Sequence, residues 1–330
     1  MATTLKDIAR ELNISYSTVS KALSDSPEIS DNTKEKVRNA AKKMNYKPNQ
    51  IARGLVMKET KTIGLIIPDI TNPFYPEIAW GVEETASKEG YSIFLCNSNW
   101  ENEKEREYIN LLIGKKVDGI ILAPIGEKSL NLDDIELPII TVGIKDKYNG
   151  KNFVVIDDKR GGYLATQHLI KFGHKKIMFI GGKENVESNK ERFEGYKLAL
   201  STYGFQFDKT LVKNGNFKRE SGYILMKQVL MEGIRPTGVF AGNDLLALGV
   251  MQAIIECGFK IPEDISIVGF DDISFAQLPE ISLTTIAQPK YEMGKLAFKM
   301  LLQKIKNPLT EGSNIILTPE IVVRKTSNTL

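Results

Sequence analysis

From Lys61 onward the chain runs twice through one pattern: a short apolar run of strand length, then an amphipathic stretch at helical spacing. The first series has apolar runs at 62–67, 92–96, 119–122 and 139–142, with helical stretches near 76–88 and 101–114 between the first three. The second has runs at 176–180, 238–241, 265–270 and 283–287, alternating with helical stretches near 160–171, 192–203, 220–232 and 244–257. Parallel neighbours need a crossover of a dozen residues or more, and these helices supply it, so each series predicts an α/β lobe with a doubly wound parallel sheet. Two such lobes in tandem turn their strand ends toward one cleft, where open sheets of this kind bind small ligands. A last helical stretch near 291–305 returns to the first lobe. The expected partition is 61–157 with 289–318 for one lobe, and 158–288 with 319–330 for the other.

The first sixty residues break this pattern. TLKDIARELN from Thr4 reads as a helix capped by Thr4, with Leu5, Ile8, Ala9 and Leu12 on one face and Asn13 at its end. Ser15 caps a second helix whose Val19, Ala22 and Leu23 point inward. That leaves Tyr16, Ser17, Ser20 and Lys21 as a contiguous outer face of hydrogen-bonding groups near the helix N-terminus, the place from which a major groove is read. Ser30 opens a third helix, and Val37, Ala40, Ala41 and Met44 close a small core over the first two. The expected unit is an α-helical, helix-turn-helix domain over residues 1–47. A solvated polar helix has the same pattern in isolation, but charge separates the two readings. Residues 1–60 hold 11 Lys and Arg against 7 Asp and Glu, net +4, whereas the rest of the chain holds 33 against 34. The basic excess lies wholly in the segment that would face phosphate, which points to double-stranded DNA.

Residues 48–60 are expected to form a separate hinge. Lys47 precedes Pro48 and is pushed out of helical geometry, Asn49 can cap, and 50–56 make under two turns, too few for a stable helix in isolation. Such a helix is expected to form on DNA. Ile51 and Leu55 lie four apart on one face, so two dimer-related copies could pack through Ile51 while Leu55 wedges between base pairs. The residues alone equally allow a flexible linker whose leucine packs against the larger part.

With 330 residues and an ordinary 42% hydrophobic and 26% charged composition, the chain has room for two core-bearing units besides the small helical one. It has no apolar run long enough for a membrane helix, and it begins with a polar capped helix rather than a secretion signal, so the expected location is the cytoplasm, with no membrane partner. Cys96 and Cys257 lack CxxC spacing and a nearby His, which suits reduced, buried thiols; His168 and His174 flank a helix end without a ligand pattern and read as structural. A GxSxG elbow, a metal-ligand cluster and a phosphate loop are all missing from the sequence, so neither an enzyme nor a bound cofactor is expected.

Seven strings in order carry a resemblance: SYSTVSK from Ser15, YKPNQIARGL from Tyr46, IGLIIPDITNPFY from Ile63, KVDGIIL from Lys116, GNDLLALG from Gly242, VGFDD from Val268 and LTTIAQP from Leu283. Over essentially its whole length the chain resembles the LacI/GalR family of transcription regulators. The resemblance implies a lambda-repressor-like helix-turn-helix, two lobes of the periplasmic-binding-protein-like type I fold, a homodimer, and small-molecule control of binding to a pseudo-palindromic operator. It implies base reading by Tyr16, Ser17 and Lys21, phosphate contacts by Thr18 and Ser20, further DNA contacts by Thr4, Leu5 and Ala52, backbone or minor-groove contacts by Asn49 and Arg53, and a Leu55 wedge. In the cleft it implies an oxygen-gripping fork at Arg192, at the start of a helix, a carboxylate for hydroxyls at Asp271 and a two-way amide at Asn243. It adds an aromatic cover at Phe217, Phe74 and Tyr75 on the other lobe's rim, and Gln288 at the crossover. Gly143 departs from the pattern, standing where some sugar-responsive members carry aspartate. The set suits a sugar or sugar acid as effector. Control by a phosphorylated carrier protein is a third route, for which no surface residues stand out, and the direction of control, inducer or corepressor, stays open.

Overall fold

The structure, a computed structural model, describes residues 3–46, 59–126, 135–144 and 152–330. The hinge calls at Asn49, Ala52, Arg53 and Leu55, and Ile51 with them, lie outside the described residues. The chain divides into two compact units, Met1–Thr60 and Lys61–Leu330.

The smaller unit holds α1 (Leu5–Glu11), α2 (Tyr16–Leu23) and α3 (Asp31–Lys43). Each begins where a hydroxyl takes up an otherwise orphaned N–H: Thr4 accepts from Asp7, Ser15 from Thr18 and Ser30 from Thr33. Thr4 and Asp7 close a reciprocal capping box. Asn13 and Asn45, with φ of 51° and 50°, turn the chain out of α1 and α3. Ile8, Ala9, Val19, Ala22, Val37 and Ala41 are buried together, and Leu5, Leu23, Ala40 and Met44 pack partly buried against them.

Among the described residues the larger unit contains two six-stranded sheets. The first lobe holds β1 (Thr62–Ile67), α4 (Phe74–Lys88), β2 (Ser92–Asn97), α5 (Asn102–Gly114), β3 (Gly119–Leu122), β4 (Ile139–Val142) and β5 (Phe153–Ile156). The second holds α6 (Asp158–Lys171), β6 (Ile177–Gly181), α7 (Glu187–Thr202), β7 (Val212–Asn214), α8 (Arg219–Met231), β8 (Gly238–Ala241), α9 (Asp244–Glu256), β9 (Ser266–Asp271) and β10 (Thr284–Ala287). The chain returns to the first lobe for α10 (Lys290–Lys306) and β11 (Asn314–Leu317), then crosses back for β12 (Glu320–Val322). Strand orders are β11-β5-β4-β3-β1-β2 and β12-β10-β9-β8-β6-β7, and every pairing is parallel except β10 with β12. The order reverses at β1/β3 in one sheet and at β6/β8 in the other, and such switch points open the crevice in which a ligand sits.

The twofold period of a strand sorts the core. Ile63, Leu65 and Ile67 of β1 pack on one face of the sheet and Ile66 on the other; in β6, Met178 and Ile180 separate in the same way from Ile177 and Phe179. Glycines set the helix spacing. A Cβ on Gly81 would lie 2.1 Å from Tyr291 O and one on Gly294 2.1 Å from Ile78 O, so α4 and α10 meet backbone to backbone. Gly162 and Gly195 join α6 to α7 in the same reciprocal way, at 2.2 Å from Arg192 O and 2.1 Å from Lys159 O. Gly222 and Gly249 join α8 to α9, at 2.2 Å from Leu246 O and 1.9 Å from Arg219 O.

The structure departs from the sequence reading at several points. β5, β7, β11 and β12 were not anticipated; each has only three or four residues, and β7, β11 and β12 lie at sheet edges. α7 starts at Glu187, so Arg192 lies within the helix rather than at its start. Its opening residues, Glu187, Ser188, Asn189 and Lys190, are polar on every side, and its first inward positions are the buried Asn189 and Arg192, so no apolar periodicity marks the start of this helix.

The histidines tie down the C-terminal segment. His168 Nε2 is 2.8 Å from Ser327 Oγ, His174 Nε2 is 3.1 Å from Asn328 O, and Leu330 N donates to Phe172 O at 2.9 Å. Cys96 is buried in β2 and Cys257 caps the end of α9, both as free thiols.

Candidate functional site

On α2, Tyr16 is 53% exposed, Ser17 and Lys21 are exposed, and Thr18 and Ser20 are half-buried. The face is already organised. Ser15 Oγ lies 2.7 Å from both Ser17 Oγ and Thr18 Oγ1, and Lys21 pairs with Glu28. An exposed pair of this kind contributes little stability and yields readily to a polyanion. Thr4 spends its side chain on the capping box, and Leu5 packs partly into the core.

In the larger unit the seven cleft residues singled out from sequence, Phe74, Tyr75, Arg192, Phe217, Asn243, Asp271 and Gln288, line a single cavity between the lobes. Its volume is about 530 Å³ counting the part open to solvent. Arg192, 6% exposed, is fixed at three points. Its Nε donates to Asp158 Oδ1 at 2.8 Å, Nη1 donates to Gly242 O at 2.6 Å, and its guanidinium carbon sits 3.7 Å from the Phe270 ring centroid. Nη1 is also 3.8 Å from Asp271 Oδ1, and Nη2 has no hydrogen-bond partner among the described residues. The fork is thus held in plane with donors to spare.

Asp271 ends β9 with a φ of 117°, and Asp272 follows at 52°. This strained turn is held from behind. Lys290 Nζ donates to the carbonyls of Asp271 and Asp272 at 2.8 and 2.7 Å, and the wholly buried Asp244 accepts the Ile273 N–H at 2.9 Å and the Thr285 hydroxyl at 2.5 Å. Gln288 Nε2 donates to Asp271 Oδ1 at 2.7 Å. Burial pushes the Asp271 carboxyl up to about 6, although Arg192, Lys290 and Gln288 pull the other way. Burial, followed by the neighbouring Asp271 charge, raises Asp244 well above the usual carboxylate range. Burial and then Asp271 also raise Tyr75, so its hydroxyl stays a donor.

Asn243 is more committed than a two-way ligand amide. Its Oδ1 caps α9 by accepting from Leu246 N at 2.9 Å, and its Nδ2 donates to Phe217 O at 3.2 Å. One N–H and one lone pair are left for a ligand. Phe217, at φ 65°, lies on Gly182, where a Cβ would meet the ring at 2.2 Å; only glycine allows that approach. Phe74 and Tyr75 meet edge to face at 5.1 Å at the start of α4.

Sequence reasoning missed Trp100, Pro124, Ile144, Val186 and Ser188, all of which line the same cavity. Trp100 follows Asn99 in the loop after β2, both with positive φ, and its ring stacks on Phe217 at 6.0 Å and 18°. Gly143, the noted departure, also lines the cavity and has φ 83° with open space at its Cβ position, so backbone conformation sets it apart from an aspartate there.

Residues 60–326 match the family described as periplasmic binding proteins and sugar binding domain of LacI family, and residues 4–49 match that of bacterial regulatory proteins, lacI family. This chain belongs to the LacI family. The regulator is 37% identical over 331 residues to the HTH-type transcriptional repressor PurR of Vibrio atlanticus, covering 99% of each chain. Among solved structures it is similar to the lac repressor dimer bound to operator and the anti-inducer ONPF, with a TM-score of 0.90, 28% identity, and 99% and 100% of the two chains covered. It is also similar to a LacI-family regulator from Enterococcus faecium with bound ribose, with a TM-score of 0.74, 35% identity, and 82% of this chain and 99% of that one covered. A LacI-family chain of this make-up is a DNA-binding transcriptional regulator and not an enzyme. Among the described residues no helix is long and apolar enough to cross a membrane.

Proposed function

We propose that this regulator is a cytoplasmic homodimeric repressor that binds a pseudo-palindromic operator and whose affinity for it is set by a hydroxylated metabolite, a sugar or sugar acid, held between the lobes. The observation that carries the effector reading is the convergence of Arg192, Asp271 and Gln288 in one cavity, a fixed cationic fork beside a carboxylate and an amide. Together they offer charged and neutral donors and an acceptor to the hydroxyls of a ligand. The similarity to a family member with ribose bound supports the same class. On the DNA side, the basic first sixty residues and the exposed Tyr16, Ser17 and Lys21 support operator reading.

The experiment is calorimetry of the full chain against aldoses, aldonic acids and purine bases, followed by operator binding in the presence of whichever compound binds. A purine that binds while every sugar and sugar acid fails would replace the proposed class. Release of operator by the bound compound makes it an inducer; recruitment makes it a corepressor.

A further inference from the structure

Among the described residues the cleft is chemically one-sided. The second lobe and the crossover bring Arg192, Asn243, Asp271 and Gln288. The first lobe presents Phe74, Pro124, Val142 and Ile144, with the Tyr75 hydroxyl and the Trp100 indole N–H as its polar side-chain groups. A ligand matched to this wall carries its hydroxyls on one edge and a carbon-rich face on the other.

Trp100 and Phe217 meet across that division. Trp100 comes from the loop after β2 in the first lobe and Phe217 from the loop after β7 in the second, with ring centroids 6.0 Å apart and planes 18° from parallel. A third ring between them would need about 7 Å, two contacts of ~3.5 Å each. The two rings therefore stack on one another across the lobe boundary, a contact that exists only when the lobes are close, rather than forming a slot for a sandwiched ligand. Each ring is placed by strained backbone: Asn99 and Trp100 have φ of 54° and 60°, and Phe217 has 65°. Lys183 Nζ lies 5.4 Å from the Trp100 ring centroid, and the Phe217 carbonyl is tied to Asn243.

We propose that Trp100 and Phe217 are an aromatic latch, closing the lobes over the carbon face of a cyclic sugar and thereby selecting ring forms over the corresponding open-chain alditols. The inference rests on the hydroxylated-effector reading above and adds the shape of the ligand. A ring offers a flat C–H face; an open chain offers none and loses more rotational freedom on binding.

The sequence contains two tryptophans, Trp80 and Trp100, and Trp80 is 60% exposed, so in full-length Trp80→Phe protein Trp100 is the sole indole reporter. The probes are D-ribose, D-glucose and cellobiose, with ribitol and sorbitol as the reduced counterparts of the two monosaccharides. A ring sugar is expected to change Trp100 emission saturably and to bind at least about tenfold more tightly than its alditol, with Trp100→Ala losing roughly that factor and Trp100→Phe nearly none. Calorimetric binding of a ring sugar without an emission change, equal affinity for its alditol, or wild-type affinity in Trp100→Ala overturns the latch and leaves the cleft reading standing. If none of the ring sugars binds the wild-type protein by calorimetry, the cyclic-sugar latch is overturned, and the broader panel above then decides the effector class.

Discussion

Gln288 holds Asp271 through a hydrogen bond of 2.7 Å from its amide nitrogen to the carboxylate Oδ1. Hydroxyls are gripped best by the ionised carboxylate, and burial has moved its titration up to about 6. Affinity for the effector is therefore expected to fall about tenfold between pH 7 and pH 5, as Asp271 takes up a proton. Titration calorimetry across that range checks it, with Asp271→Asn giving a weak and pH-independent baseline.

The same burial has a cost in stability. A carboxyl at 3.8 when unfolded and about 6 when folded makes the native state the tighter proton binder, so its contribution is greatest below 3.8 and is lost as pH rises through 6. Without effector at pH 7, Asp271→Asn is expected to be more stable than the parent by roughly 1–3 kcal/mol. Urea midpoints at pH 7 and pH 4 test this, and the gain should vanish at the lower pH.

Arg192 meets Asp158, Gly242 O and the Phe270 face with one planar group. A lysine ammonium cannot satisfy all three at once. Arg192→Lys should weaken effector binding by about tenfold or more while leaving operator affinity without effector unchanged. Wild-type effector affinity in calorimetry would remove Arg192 from the site.

Lys21 is paired with Glu28 on the reading face, in the open. Glu28→Gln releases the ammonium for DNA, so operator affinity should rise a few-fold and its dependence on salt should steepen, with thermal stability shifting by no more than about 0.5 kcal/mol. Anisotropy titrations at two salt concentrations give both readings. An unchanged affinity and slope would place Lys21 off the DNA.

Burial holds His168 down at about 4, and burial lowers His174 as well. Both are neutral in the fold and take a proton near 6.5 when released, so the stability they carry is full above 6.5 and declines below it, for His168 until pH reaches about 4. His168→Gln should flatten the decline in urea midpoint between pH 7 and pH 5. An equal decline in the variant would rule out His168 as its source.

What could be read from the sequence had a local cause. Thr4, Ser15 and Ser30 announce their helices because a hydroxyl before an apolar period satisfies an exposed N–H, and β1 and β6 announce themselves as runs buried on both faces. Asp271 and Asn243 were named through the family resemblance, and the structure has Asp271 at the end of β9 and Asn243 at the cap of α9. Trp100 was not, because its place in the cleft depends on two consecutive left-handed residues, Asn99 and Trp100, neither of them glycine. The start of α7 was hidden because its inward face is built from Asn189 and Arg192 rather than from hydrocarbon. The committed amide of Asn243 was hidden for a related reason, since its partner is the carbonyl of Phe217, distant in sequence.

The reciprocal glycines at 81 and 294, 162 and 195, and 222 and 249 leave no side chains between their helices to be repacked. Each pair behaves as one beam, unable to slide without driving backbone into backbone. Neither lobe can absorb a ligand by bending there, so the remaining freedom lies in the three connections between the lobes, after β5, after β10 and after β11. Gln288 lies on the second of these. The residue that clasps Asp271 thus sits on the axle about which the two bodies turn, where a small rotation is magnified with distance.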